Sequence, residues 1–175
     1  MELGMAKNDT LTAEYVRSIL DYNPETGVFV YKERGYGKFD KQFAGKEAGF
    51  VNDNGYLIIT INSKDYRAHR LAYLLMMGKW PEDDVDHING VRTDNRWYNL
   101  RDATRAQNHA NKKIQSNNSI GYKGVHVHKQ TGKYRAQIRV NGKRIHIGLY
   151  DTPEQAHNAY TTKADELFGE YARGK

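Results

Sequence analysis

Apolar and polar residues alternate with a period of two in the last third of the chain. The segments 125–128, 134–140 and 144–149 each alternate apolar residues with Arg, Gln or His. This period predicts β-strands, because successive side chains of a strand point to opposite faces of a sheet. The dipeptide Asn141-Gly142 between the second and third segments is typical of a tight hairpin. The pattern predicts three antiparallel strands that share one apolar face and one basic face.

A helix is predicted directly after these strands. Thr152 is suited to its N-cap, Pro153 to its first position, and Gln155 completes a capping box. Its stripe at helical spacing consists of Ala156, Ala159, Tyr160, Lys163, Ala164 and Leu167. We expect this stripe to cover the apolar face of the sheet, on which strict alternation also places Leu149.

Shorter patterns occupy the first part of the chain. Thr12 is suited to capping a helix, the segments 28–31 and 55–61 are apolar enough for strands, and 67–77 has helical spacing. The charged segment 32–46 is expected to be a loop.

Further on, the segments 85–88 and 100–103 are predicted to be two short strands. They precede a helix for which Thr104 and Gln107 fit a capping box.

Composition narrows the classes of function. The chain of 175 residues contains no Cys, which excludes disulfides and Cys-ligated zinc. It carries a net charge of +6, and no acidic residue lies between Asp102 and Asp151, where ten Lys or Arg occur. Such a charge distribution favours a polyanionic partner. The segment 1–10 has no apolar signal core, and no apolar run approaches the length of a membrane span. We therefore expect a soluble cytoplasmic protein.

Asp86 and His87 are the first candidates for chemistry. Hydrolysis of a phosphodiester needs an activated water, which a neutral imidazole can supply, and charge neutralisation, which a cation held by oxygen ligands can supply. An Asp-His pair alone is common. The helix predicted after Thr104 presents Asn108, an oxygen ligand without a second charge.

These residues resemble the HNH endonucleases, most closely the phage and homing type. The similarity covers about residues 11–113, and it is carried by Asp86-His87-Ile88-Asn89-Gly90, Asp94-Asn95, Asn99-Leu100-Arg101, Asn108, Tyr22-Asn23-Pro24-Glu25-Thr26-Gly27, Gly55-Tyr56 and His69-Arg70-Leu71. The resemblance implies a ββα-metal fold in which His87 is the general base and Asp86 and Asn108 are the metal ligands. It also implies that Asn99 ties the loop together and orients His87.

Several alternatives stay open at this level. His109 competes with Asn108 for the ligand position, and only one of these helical neighbours can face the metal because they point about 100° apart. His69 either contacts a phosphate, helps to position the site or bonds to nearby backbone. The arginines Arg92, Arg96 and Arg101 are candidate phosphate contacts, with solvent exposure as the alternative.

The last third of the chain, about residues 121–172, resembles the DNA-binding domain of plant ethylene-response factors. The similarity lies in the segments 122–125, 132–139 and 148–152. It implies a sheet that enters the major groove with a helix behind it. The DNA contacts expected from this resemblance and from the basic face are Lys123, His126, His128, Lys133, Arg135, Gln137, Arg139, Arg144 and His146.

The expected architecture is α+β. It consists of a ββα-metal nuclease domain (1–114), a linker (115–120) and a three-stranded antiparallel sheet packed on one helix (121–175). The expected function is a DNA endonuclease that uses Mg²⁺, or Mn²⁺, and nicks one strand of double-stranded DNA per site, as a monomer or weak dimer. The alternatives are a non-catalytic DNA-binding regulator on a nuclease scaffold and a structured-RNA binder.

Overall fold

The computed structural model describes residues 11–114 and 118–173. The chain divides into two compact units between Asp102 and Ala103, and each unit has its own hydrophobic core. The domain boundaries expected from the sequence stay predictions, and residues 115–117 of the expected linker lie outside the described residues.

The first unit consists of short helices and strands. In chain order they are α1 (Ala13–Ile19), β1 (Leu20–Tyr22), β2 (Phe29–Tyr31), α2 (Gly37–Phe43), β3 (Phe50–Val51), β4 (Leu57–Ile61), β5 (Lys64–Arg67), α3 (Ala68–Met77), β6 (Asp84–His87) and β7 (Leu100–Ala103), the last ending at the boundary between the units. Strands β1 and β2 form a hairpin, β3, β4 and β5 form an antiparallel sheet in that order, and β6 pairs with β7.

The core of the first unit explains the local patterns. Its largest fully buried side chains include Phe29, Ile59 and Leu71, which come from β2, β4 and α3. Thr12 caps α1 by accepting a hydrogen bond from the backbone N–H of Tyr15 at 3.2 Å. The hydrophobic effect thus holds helices of seven to ten residues, which are too short to be stable alone.

The expectation of a loop over 32–46 is wrong in part, because α2 lies within it. Phe39 and Phe43 are one helical turn apart, and their ring centroids are separated by 4.8 Å. Both rings also lie within 6 Å of the ring of Tyr31, at 5.7 and 5.8 Å between centroids. The aromatic contacts with β2 stabilise a charged segment whose composition alone favours a loop.

The second unit contains α4 (Arg105–Asn111), β8 (Val125–Val127), β9 (Tyr134–Val140), β10 (Lys143–Tyr150) and α5 (Pro153–Phe168). The three strands form an antiparallel sheet in the order β10-β9-β8, and α5 packs against it. Capping boxes are present at Thr104 and at Thr152. The predicted α+β class and the sheet packed on one helix are therefore confirmed.

A β-bulge in β10 changes one predicted position. The pairing register between β10 and β9 shifts between His146 and Gly148, so that Leu149 lies opposite Arg135. Leu149 is 40% exposed and lies on the basic face, whereas strict alternation placed it on the apolar face. The extra residue of a bulge reverses the alternation that follows it.

Among the residues that the structure describes, no helix is both long enough and apolar enough to cross a membrane.

Candidate active site

Asp86 and His87 lie at the end of β6. Both are buried, with 4% and 5% of their surface exposed. Strand β6 pairs with β7, and the backbone N–H of Ile88 donates to the carbonyl of Asn99 at 2.9 Å. The loop 88–99 is thereby closed at its base, directly beside the two candidate residues.

Asn95 contacts the ring of His87. The Nε2 atom of His87 lies 3.1 Å from Oδ1 of Asn95, and Asn95 is only 1% exposed. An amide oxygen accepts hydrogen bonds, so Nε2 of the neutral imidazole carries the proton and Nδ1 carries the lone pair. The arrangement selects the tautomer in which Nδ1 can act as a base.

The β1–β2 hairpin supports Asn95 from behind. The Tyr22 hydroxyl donates to the Asn95 carbonyl at 2.7 Å, and the Trp97 N–H donates to the Pro24 carbonyl at 2.8 Å. A Cβ atom on Gly27, whose φ is +75°, would lie 2.5 Å from the Arg96 nitrogen. Only glycine fits this close approach, so the turn at 23–27 can pack directly against the backbone of Asn95 and Arg96.

Asn99 holds the loop together. Its Oδ1 accepts from the Asn89 N–H at 3.0 Å, and its Nδ2 donates to Asn89 Oδ1 at 3.1 Å and to the Asp94 carbonyl at 2.8 Å. Asn99 would tie the loop together, as expected of it, through these three hydrogen bonds. The described side-chain bond to His87, however, comes from Asn95.

Asp86 forms a buried ion pair with Arg101. The Nε and Nη2 atoms of Arg101 lie 3.1 and 3.0 Å from the same carboxylate oxygen, Oδ2. A buried carboxylate is costly without such a partner. Arg101, expected at the DNA backbone, here compensates the charge of Asp86.

The donor set predicted for the metal fits a hard cation. Asp86 offers a carboxylate and Asn108 an amide oxygen, which are ligand types that Mg²⁺ accepts while keeping several waters. Within residues 11–114 and 118–173, no three His, Asp or Glu side chains form a cluster that could hold a metal.

The other two arginines of the motif differ in their contacts. Arg96 donates to both carboxylate oxygens of Asp94, at 2.6 and 2.5 Å. Hydrogen bonds from this guanidinium, followed by those from the Asn89 side chain and the Arg96 backbone, lower the pKa of Asp94 to about 2. Arg92 instead lies over the ring of Tyr56, 4.9 Å from its centroid, and donates to the Asn54 carbonyl at 2.6 Å.

His69 lies beside His87. It is 3% exposed, and its ring centroid is 4.8 Å from that of His87, in an edge-to-face arrangement. Burial, followed by the charges of His87, Arg67 and Arg70, lowers the pKa of His69 well below its ordinary value. Burial also lowers the pKa of His87, although Asn95, Asp86 and Asp94 oppose this shift. Both rings are therefore neutral at neutral pH.

The candidate ligand Asn108 lies on α4, in the second unit. Ala106 and Ala110 of this helix pack in the second core, and the helical period of 3.6 residues puts Asn108 nearly opposite them. Asn108 is half-buried, whereas His109 is exposed and its Nε2 lies 3.4 Å from Nζ of Lys112. Asn111 of the same helix is buried.

The basic face of the second unit has a defined register. Cross-strand neighbours on it are His126 and Arg135, Gln137 and His146, and Arg139 and Arg144. Burial, followed by Arg135 and Arg144, lowers the pKa of His126. Six of the expected DNA contacts thus share one face of the sheet.

The other three expected contacts lie elsewhere. Lys123 points its ammonium group at the carbonyls of Ala110, Lys112 and Arg173, the last two at 2.7 and 3.3 Å. Lys133 pairs with Asp151 at 2.9 Å, and His128 Nδ1 lies 2.9 Å from the Thr131 hydroxyl in the turn before β9. Lys123 stabilises the fold of the second unit, which the sequence pattern did not reveal.

The side chain of His87, at the end of a short strand, thus bonds to a buried amide beside a buried carboxylate, an arrangement that can support hydrolysis. A family model described as HNH endonuclease matches residues 66–110. The chain is 36% identical over 152 residues to a protein of Acanthamoeba polyphaga mimivirus named "Uncharacterized HNH endonuclease L560", with 82% of this chain and 78% of that protein covered. It is also 32% identical over 89 residues to "Protein 3.8" of Escherichia phage T7, with 51% of this chain and 73% of that protein covered. No solved structure matches the chain.

The chain therefore belongs to the HNH endonuclease family.

Proposed function

We propose that the protein is a metal-dependent DNA endonuclease with one hydrolytic centre per chain. The observation that carries the proposal is the buried hydrogen bond between His87 and Asn95, which leaves the lone pair on Nδ1. This geometry occurs in a chain of the HNH endonuclease family, beside the buried carboxylate of Asp86.

In the proposed mechanism, His87 Nδ1 takes a proton from water while the water oxygen attacks the phosphorus atom in line. The bond from phosphorus to the 3′ oxygen breaks, and that oxygen acquires a proton from solvent. Asn95 keeps the ring in one tautomer, and Asn99 keeps the loop closed around it. Asp86 and Asn108 would hold a divalent ion, Mg²⁺ or Mn²⁺, which supplies neutralising charge at the phosphate and the leaving oxygen. One such centre cuts one strand, so a monomer should nick.

The second unit is proposed to bind double-stranded DNA through its basic face. Arg and Gln side chains form hydrogen bonds with base edges and phosphates, and the described strands of this face carry no acidic residue. The resemblance to plant ethylene-response factors favours the major groove. Homing is the biological context that we propose for this activity.

Nicking of supercoiled plasmid tests the proposed endonuclease. We expect open-circle product with Mg²⁺ or Mn²⁺, none with a chelator, and none from His87→Ala. His157→Ala, which changes a histidine on α5, serves as the matched control and should keep the wild-type rate. A wild type that binds DNA but never nicks it with either ion would favour the non-catalytic regulator instead.

A further inference from the structure

Two arginines converge on one aromatic ring next to the candidate active site. The guanidinium carbon of Arg67 lies 4.6 Å from the Tyr56 ring centroid, and that of Arg92 lies 4.9 Å from it. The Tyr56 ring centroid is in turn 5.3 Å from that of His69 and 6.3 Å from that of His87. Tyr56, Arg67 and Arg92 are named here the arginine platform.

The fold holds the platform in place. Ile58 of β4 pairs with Arg67 of β5, so Arg67 is the diagonal cross-strand neighbour of Tyr56. The Tyr56 N–H donates to Asn52 Oδ1 at 3.0 Å in the preceding turn. Arg92 comes from the loop after β6 and is held by the Asn54 carbonyl as well as by the ring. Three separate segments thus supply one cluster.

The charges of the platform are not compensated within the described part of the chain. Arg67 and Arg92 are exposed and form no ion pair there, whereas Arg96 is paired with Asp94 and Arg101 with Asp86. Both guanidinium carbons lie within 5 Å of one ring centroid, and like charges in such a cluster repel each other. An anion bound by both groups would remove that repulsion.

The chemistry of stacked arginine suits a phosphodiester. Stacking on an aromatic face uses the plane of the guanidinium and leaves its N–H edge for hydrogen bonds. That edge matches two phosphate oxygens, and a side chain that is already ordered loses less entropy on binding. A carboxylate ligand could use the same edge, but the substrate of an HNH endonuclease is a chain of phosphates.

We propose that Arg67 and Arg92 bind a backbone phosphate next to the one that is hydrolysed, and so fix the register of the cut strand at His87. This inference rests on the proposed endonuclease function, and it adds Arg67, which lies outside the 86–108 motif, to the substrate-binding residues. Tyr56 acts as a positioning residue, since it holds both guanidinium groups. A contact that is equal in the ground and transition states changes affinity more than kcat.

The test compares Arg67→Gln, Arg92→Gln and the control Arg34→Gln. Arg34 carries the same charge over another ring of the first unit, 3.9 Å from the Phe39 centroid. Binding to a labelled mixed-sequence DNA duplex is measured in a chelator over a range of salt concentrations. Nicking of plasmid is measured separately with Mg²⁺.

We expect each platform variant to bind roughly 10-fold more weakly and to lower the slope of log affinity against log salt by about 1. Saturating nicking rates should change less than about 3-fold. Arg67→Lys should bind between wild type and Arg67→Gln, because lysine keeps the charge but not the planar fork.

Affinities and slopes equal to those of Arg34→Gln would overturn the proposal. A loss of kcat with unchanged affinity would overturn it too, because the arginines would then act only through the packing of Tyr56 on His87. Binding in a chelator does not depend on cleavage. A wild type that never cleaves would therefore refute the endonuclease, while the binding slopes would still decide the role of the platform.

Discussion

The side-chain oxygen of Asn95 lies 3.1 Å from Nε2 of His87, with both residues buried. Asn99, four positions later, instead bonds the loop to itself. The side-chain contact to the His87 ring and the closure of its loop are thus divided between two asparagines.

The first prediction separates these two roles. Asn95→Ala leaves the Nε2 proton of His87 without its acceptor and frees the ring, so we expect nicking to slow by roughly 10- to 100-fold, a size typical of lost positioning groups. Asn95→Asp keeps an acceptor oxygen and should retain more activity than Asn95→Ala at the same pH. Rates are compared at a temperature at which circular dichroism shows all variants folded. A folded Asn95→Ala with the wild-type rate would contradict the assignment.

The second prediction concerns Gly27. Its φ of +75° and the 2.5 Å approach of a Cβ atom to the Arg96 nitrogen both oppose a side chain. Gly27→Ala should lower the free energy of unfolding by more than about 1–3 kcal/mol, the range for a strained backbone alone, and should slow nicking by displacing Asn95.

Gly35→Ala is the matched control for Gly27. Gly35 has a φ of +76°, but a Cβ atom there would meet nothing within 4 Å. Urea unfolding of both variants isolates the steric contribution, because the backbone cost is shared. Equal destabilisation would mean that the turn does not support Asn95.

The third prediction is a pH dependence of stability. The pKa of His69 is lowered well below its ordinary value by burial, His87, Arg67 and Arg70. Between that lowered pKa and the ordinary value, the unfolded chain binds more protons than the folded chain, so stability rises with pH and is lost on acidification. Replacement of His69 by Gln should reduce the loss of unfolding free energy between neutral and mildly acidic pH. Part of this loss should persist in the variant, because the pKa of His87 is also lowered. An unchanged slope in the variant would show that His69 is not the titrating group.

The fourth prediction concerns Arg139 and Arg144, which lie directly opposite each other on the basic face. Like charges in this position destabilise a sheet. Arg144→Gln should therefore preserve or slightly raise stability at low salt, yet reduce the salt slope of DNA binding by about 1. Lys163→Gln, on α5 and paired with Glu166 at 2.8 Å, is the control and should leave the slope unchanged. If Arg144→Gln loses stability but binds DNA like the wild type, the basic face is not part of the DNA interface.

Local patterns predicted the elements whose signals lie within a few residues. Both capping boxes, the Asn141-Gly142 hairpin and the three alternating strands are present. The bulge at His146 and Gly148 was not predictable in this way, since one extra residue leaves the composition of the strand unchanged. Helix α2 was missed because its stabilising partner, Tyr31, lies in another element.

The sequence by itself determined the class of the protein: the three strands and the helix of the last third, the family motif around Asp86 and His87, and the basic charge of the last third. Only the tertiary structure decided which polar groups meet. It assigned Asn95 to His87, Arg101 to Asp86, and Lys123 to backbone carbonyls, and it brought Arg67 and Arg92 onto one ring. The physical reason is that periodicity and capping arise from neighbours along the chain, whereas hydrogen bonds and ring contacts between side chains depend on how distant segments pack.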